Sequence, residues 1–193
     1  MSGSLTGLFL SSVFTGNIAL TGFLGLCPFL SLSRKPALAA AMGVSVTFVM
    51  TVTAMLNWLL MRYVLVPYRI EYMQILAFML VIAALTQVLE LFLDRFAPRI
   101  FAAFGVFLPL VAVNCAILGV SLFASFREYG FAKTLLYSLG SGIGWTLAIL
   151  LMGGLRRHLI FCRPPAALGP VGIVMTLASL MALAFGCLAG VGG

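Results

Sequence analysis

Residues 36–61, PALAAAMGVSVTFVMTVTAMLNWLLM, run for 26 positions without one charged side chain. Wound as a helix at 1.5 Å per residue, this stretch is about 39 Å long, enough to cross a hydrocarbon core of about 30 Å. The pattern recurs along the chain, with uncharged intervals at 1–33, 72–89, 100–126, 134–155 and 164–193 as well. Only 11 basic and 4 acidic residues occur among 193, while 63% are hydrophobic. Mean hydropathy is +1.22. Soluble domains carry about a quarter charged residues, so the solvent of this chain is lipid. That composition excludes a soluble enzyme, a nucleic-acid-binding module and a large water-exposed catalytic domain. The net charge of +7 is scattered through short loops, which gives no nucleic-acid partner.

Backbone groups in lipid are satisfied only in helices or closed barrels. Barrel strands alternate apolar and polar residues, and these runs are apolar all round. The sequence therefore predicts an all-α membrane protein, a single integral domain over 1–193. Six helices are expected at about 5–30, 37–61, 71–93, 99–123, 132–153 and 169–190. No Lys or Arg precedes Arg34, so the basic start of a cleaved signal peptide is missing and the first span is expected to stay as an anchor. The odd loops hold Arg34, Lys35, Arg95, Arg99, Arg156, Arg157 and Arg163, against Arg62, Arg69, Arg127 and Lys133 in the even ones. The positive-inside rule puts the odd loops in the cytoplasm and both termini outside.

Two of the six spans carry breakers. Phe23-Leu24-Gly25-Leu26-Cys27-Pro28-Phe29 interrupts the first, and Phe107–Gly119, FLPLVAVNCAILG, interrupts the fourth. Proline lacks an amide donor and clashes with the preceding turn. These are the first helices of two three-helix sets, about 5–93 and 99–190. An odd number of helices per set inverts the second relative to the first. Interrupted spans at corresponding places in two inverted repeats point to a midplane site.

Of four cysteines, Cys27 and Cys115 lie inside the interruptions, one in each half. Cys162 lies in a basic loop and Cys187 in the last span, where a cysteine reads as a small apolar residue. There is no C-x-x-C or histidine cluster of the zinc or haem kind. For Cys27 and Cys115 the spacing is compatible with a shared ligand site or with a disulfide. Iron–sulfur clusters take four thiolates, so two from this chain would need two from a partner.

The segments 23–29 and 107–119, together with Gly-Ser-Gly-Ile-Gly-Trp at 140–145, resemble one bacterial family. It comprises the E subunit of the Na+-translocating NADH:quinone oxidoreductase and the A subunit of the Rnf complex. The likeness extends from about Asn17 to Gly190, and Asn-Cys-Ala is its most specific part. Leu-Cys-Pro-Phe and the short second loop are closer to the Rnf member. Val-Asn-Cys-Ala-Ile-Leu-Gly and Gly-Ile-Gly-Trp are closer to the quinone reductase, the preferred assignment. The resemblance implies an inner-membrane component of an ion-translocating oxidoreductase, without stand-alone activity. It implies as partner a homologous, oppositely oriented D (or Rnf E) subunit, with an intramembrane [2Fe-2S] cluster shared between the two. Cys27 and Cys115 match the ligand positions. Electrons would cross the membrane toward ubiquinone, coupled to Na+ translocation. NADH and flavin chemistry would fall to other subunits, in keeping with the lack of a nucleotide fingerprint. Asn114, beside Cys115, is a candidate donor to the sulfur or to a freed carbonyl.

Glu90 stands one turn after Thr86 and one turn before Asp94, on a shared face. Acids inside membranes commonly line ion paths, and the resembled family has an acid here proposed to help take up Na+. The other reading pairs Glu90 with Arg95 or Arg99 at the interface, where Asp94 also belongs. Gly140, Gly142 and Gly144, and Gly186 with Gly190, read as close-packing residues. Trp58, Tyr63 and Tyr68 mark an interface. Thr47 and Thr51 form a polar stripe, and His158 reads as exposed. A small-solute transporter is the remaining alternative, but its midplane should be more polar than two cysteines and one asparagine.

Overall fold

The computed structural model describes residues 5–27, 36–68, 70–96, 114–159 and 169–191, and all regular structure among them is helical. Helix α1 spans Leu5–Val13 and α2 spans Ile18–Thr21. α3 is Pro36–Leu60, continued by a π-helical turn at Met61–Leu65 and a last turn at Val66–Tyr68. A 3-10 turn at Glu71–Met73 leads into α4, Gln74–Phe96. α5 is Cys115–Phe126, α6 is Phe131–Leu159 and α7 is Gly169–Val191. Among the described residues, three stretches are long and apolar enough to cross a membrane: Ala39–Tyr68, Gln74–Phe92 and Phe131–His158. Cys115–Phe126 and Gly172–Cys187 are shorter apolar helices. The chain is an all-α, multi-pass membrane bundle.

The helices expected at 37–61, 71–93, 132–153 and 169–190 have counterparts in α3, α4, α6 and α7, longer by a few residues at some ends. The helix expected at 5–30 is not continuous. It is broken at Phe14–Asn17 and again at Gly22–Gly25, before the helical pair Leu26 and Cys27. Of the helix expected at 99–123, residues 99–113 lie outside the described residues, and the remainder starts at Cys115 and runs on to Phe126.

The bundle is organised on α3 and α6, which run antiparallel. Their contact is close because neither side carries bulk. A Cβ on Gly43 would collide with Thr146, and one on Gly142 would stand 2.7 Å from Thr47 Cγ2 and 3.0 Å from Thr47 Cα. Thr47 and Thr146 hydroxyls then meet at 3.1 Å across the interface. Thr51, the other half of the expected stripe, donates back to Thr47 O on its own helix. The opposite side of α6 receives α1, where Gly140 abuts Ser12 and Gly144 abuts the Val13 carbonyl. In lipid, close backbone approach replaces the hydrophobic effect as the source of helix association.

The core formed this way includes Met42, Val46, Val49 and Met50 from α3, Ile117 and Val120 from α5, and Trp145, Ile149 and Met152 from α6. α4 is peripheral, with 17% of its spanning window buried against 56% for α6. α7 contributes Val174, Ala178 and Met181, spaced four and three residues apart, and exposes much of the rest. Gly186 meets nothing within 4 Å among the described residues.

Gly142→Val should overpack the α3–α6 seam at a cost of about 1–3 kcal/mol and lower the thermal midpoint in detergent. Gly154→Ala, where nothing lies within 4 Å, should leave that midpoint unchanged or raise it, since alanine favours the helix by about 1 kcal/mol. Equal midpoints for the two variants would refute the tight seam.

Candidate metal centre

Two helices of this bundle start in the same way. Asn17 precedes α2 with φ −64° and ψ 107°, and Asn114 precedes α5 with φ −75° and ψ 108°. Asn17 Oδ1 accepts from the Ala19 amide at 3.1 Å, and Asn114 Oδ1 from the Ala116 amide at 3.0 Å. A short polar side chain in extended backbone satisfies one amide that the first turn leaves free, worth about 0.5–2 kcal/mol. Both asparagines are buried, at 0% and 3% exposure. The caps differ in their second group. Asn17 Nδ2 donates to Gly144 O at 2.9 Å and Val13 O at 3.3 Å. Asn114 Nδ2 is buried without a partner among the described residues.

Asn-Ile-Ala-Leu at 17–20 and Asn-Cys-Ala-Ile at 114–117 place Ile18 and Cys115 alike. Measured from the caps, Cys27 and Cys115 therefore hold different positions. Cys115 is the first residue of α5, whereas Cys27 arrives through a second break, ten residues past Asn17. That break is built from left-handed backbone at Phe23 (φ 52°) and Gly25 (φ 81°).

The second break delivers Gly25 to Cys115. The Gly25 amide donates to Cys115 Sγ at 2.9 Å, joining segments 90 residues apart. A Cβ at position 25 would stand 2.6 Å from Trp145 Nε1, 3.0 Å from Asn114 Oδ1 and 3.1 Å from Ala116 Cβ. All three motifs singled out in the sequence thus converge on one glycine. Trp145 is fully buried, and its Nε1 has no partner among the described residues. The N-terminus of α5, equivalent to about half a positive charge, stands at the same sulfur. The surroundings of Cys115 are rich in donors and suit an electron-rich ligand.

Cys27 is exposed and Cys115 half-buried, and both are free thiols rather than a disulfide. Cys187 is exposed on α7, and Cys162 lies outside the described residues. Among the described residues, no three His, Cys, Asp or Glu side chains form a metal-binding group.

Glu90 is half-buried on α4, one turn past the buried Thr86, while Asp94 and Arg95 are on the last turns of the same helix. Thr86 Oγ1 donates to Ile82 O and Ala83 O, both at 2.9 Å. Arg99 lies outside the described residues. His158 is exposed, as expected. Trp58 Nε1 donates to Tyr129 O at 2.9 Å, and Tyr63 and Tyr68 are exposed. At the far end of α5 from Cys115, a cavity of about 500 Å³ is lined by Asn57, Arg62, Ser121, Ser125, Glu128 and Tyr129, among others. The Asn57 amide is 1% exposed with neither end paired. Arg127 Nη1 donates to Tyr129 OH at 3.0 Å, a bond that raises the guanidinium pKa above its ordinary value.

Sequence reasoning missed Asn17, Gly25 and Trp145 as parts of this site. The paired caps were visible as Asn before an apolar run, twice. Trp145 had no local signal, because its role depends on Gly25 lying against it.

An all-α membrane bundle with a backbone amide donating to a cysteine at the start of a broken helix is the class of protein so defined. Residues 5–192 match the family described as Rnf-Nqr subunit, membrane protein. The chain is 43% identical to the E subunit of the Na(+)-translocating NADH-quinone reductase of Nitrosomonas europaea, covering 97% of this chain and 98% of that one. It is 42% identical to the A subunit of the ion-translocating oxidoreductase complex of Syntrophotalea carbinolica over 92% of each. It is 40% identical to the E subunit of the Na(+)-translocating NADH-quinone reductase of Chlamydia muridarum, covering 97% of this chain and 82% of that one. The chain belongs to the Rnf-Nqr family of membrane proteins and is part of a multisubunit oxidoreductase.

Gly25→Ala should disrupt the cradle, because a left-handed non-glycine residue costs about 1–2 kcal/mol and the added Cβ crowds Trp145 Nε1. In a background with the other three cysteines replaced by serine, maleimide should then modify Cys115 faster. An unchanged rate would show that Gly25 does not hold the sulfur.

Proposed function

We propose that Cys27 and Cys115 supply two of the four thiolate ligands of an intramembrane [2Fe-2S] cluster, completed by two from a homologous, oppositely oriented partner. In this reading the chain is the E-type subunit of a Na+-translocating NADH:quinone oxidoreductase in the bacterial inner membrane. Six helices form two inverted repeats, about 5–93 and 99–190, in a single domain over 1–193 with both termini periplasmic. Flavins and the NADH site sit on other members of the complex.

The observation that carries the reading is the Gly25 amide on Cys115 Sγ at 2.9 Å; Asn114 Nδ2 and Trp145 Nε1 are buried donors without a partner among the described residues. Thiolates and inorganic sulfides only accept, so a donor lining fits them. The buried side chains of Ile117 and Val120 keep water from the next turns of α5. Cys27 is exposed in the single chain, which suits a thiol whose surroundings a partner completes. Such a cluster supplies a one-electron relay within an insulating layer about 30 Å thick.

The relatives named as E subunits of a Na(+)-translocating reductase support coupling to Na+ and quinone. The similarity to the A subunit of an ion-translocating complex supports the Rnf-type alternative, which would use the same two thiols. Glu90 is the proposed acid on the cation path, since it is half-buried one turn from Thr86 on a peripheral helix.

Cys27→Ser and Cys115→Ser should each abolish the paramagnetic signal of this centre in the reduced complex and lower its iron content, because a hydroxyl replaces a soft thiolate poorly. Cys162→Ser and Cys187→Ser should keep both. A full signal in either of the first two would overturn the ligand assignment. Glu90→Ala should weaken the sodium dependence of turnover with iron content unchanged, and Asp94→Ala much less. Unaltered sodium dependence in Glu90→Ala would return that residue to an interfacial role.

A further inference from the structure

The chain has two tryptophans, and the fold treats them differently. Trp58 Nε1 reaches the Tyr129 carbonyl at 2.9 Å. Trp145 is buried more deeply, at 0% exposure, yet its Nε1 has no acceptor among the described residues. Buried indole N–H groups usually find a partner, and an unpaired one calls for an explanation. Packing alone does not supply it, because a phenylalanine would fill a core without bringing an unpaired donor into it.

The position of Nε1 supplies the explanation. It lies against the open face of Gly25, 2.6 Å from where a Cβ would stand, and the amide of that same glycine donates to Cys115 Sγ. Asn114 Oδ1, 3.0 Å from the same Cβ position, receives the Ala116 amide. Glycine at 25 and an indole at 145 together leave a donor against the glycine that holds Cys115, with no acceptor for it among the described residues. We propose that Trp145 is a positioning residue of the centre: its indole N–H donates to a sulfur of the iron–sulfur group held at Cys27 and Cys115, and raises the reduction potential of that group. The inference rests on the cluster reading above.

The sign follows from charge. Reduction adds an electron to the sulfur-rich group, and a donor stabilises the more negative state. Removing the donor makes reduction harder. A low-dielectric interior strengthens each such bond, and donors to the sulfurs are among the levers that set cluster potentials. Indole suits this task because it donates without carrying charge, so no desolvated cation is needed.

The test is redox titration of the assembled complex followed by electron paramagnetic resonance, with iron quantitation. Trp145→Phe should retain iron while making reduction about tenfold less favourable, a downward shift of about 59 mV for one electron. Ile149→Val, a truncation one turn away on the same buried face, should leave the potential in place. Wild-type complex without iron at this centre would overturn the cluster reading itself. Wild-type iron with an unmoved potential in Trp145→Phe would overturn the role of Trp145 alone. A second measurement covers failure of the variant to assemble. Wild-type complex carrying 15N-indole tryptophan should show a 15N coupling to the reduced centre in pulsed resonance, and its absence would overturn the proposal.

Discussion

A helix broken inside lipid frees backbone amides where no water can reach them, and the rest of this structure follows from how those amides are satisfied. Asn17 and Asn114 each return one oxygen to the turn they begin. Asn17 then commits its nitrogen to the Gly144 carbonyl, which ties the first break to the central helix α6. That tie works only if α1 lies directly on α6. Gly140 and Gly144 are accordingly without side chains where Ser12 and Val13 approach. With α1 fixed, the chain leaving α2 has few residues in which to turn, and left-handed backbone at Phe23 and Gly25 makes the turn. The Gly25 amide, freed by the same break, ends on Cys115 Sγ. Caps, seam and site are one chain of dependence.

The bilayer explains what the sequence made legible. Lengths of uncharged chain mark helices, so α3, α4, α6 and α7 were readable to within a few residues at most ends. Periodicity marks little, because lipid-facing and protein-facing positions are both apolar. Val44 and Phe48 are exposed, at 69% and 58%, and Val46 and Val49 are fully buried, with no difference in residue type to separate them. The buried face is marked instead by what is small or polar: Gly43, Thr47, Gly142 and Thr146. The breakers at 23–29 were informative about the presence of a break and poor on its form. Pro28 suggested a single interruption, but the chain breaks twice and the first break, at Phe14–Asn17, contains no proline. Cys27 and Cys115 were singled out by their place in interrupted spans, and the Gly25 contact to Cys115 joins those two spans. The cysteines' inequivalence relative to the caps was not legible, since it depends on how many residues the second break consumes.

The two caps also show how one local device serves two ends. At Asn17 every polar group is used within the chain, and the residue is structural. At Asn114 the oxygen caps and the nitrogen is left over. The leftover donor occurs at the helix that starts with a cysteine, and the unpaired indole of Trp145 faces the same point. Unpaired buried donors are costly to keep; among the described residues Asn114 Nδ2 and Trp145 Nε1 are two such donors, while the Asn17 side chain is fully paired. The exposed Cys27 lies two residues from Gly25.

Helix α5 separates this donor-lined end from a polar one. Its 12 residues rise about 18 Å, from Cys115 to the Arg127 cap beside the cavity at Asn57. The cavity reaches Ser121, about 9 Å along the axis from Cys115. Between them Ala116, Ile117 and Val120 are fully buried, and Leu24 closes on Gly119. Water that enters the cavity can hydrate the Asn57 amide, which an apolar bundle would otherwise leave costly, and it stops there. A buried charge change at the sulfur is felt strongly across two dry turns of helix, because little intervening solvent screens it. Dry packing between two polar ends lets charge at one end influence the other without material passing between them.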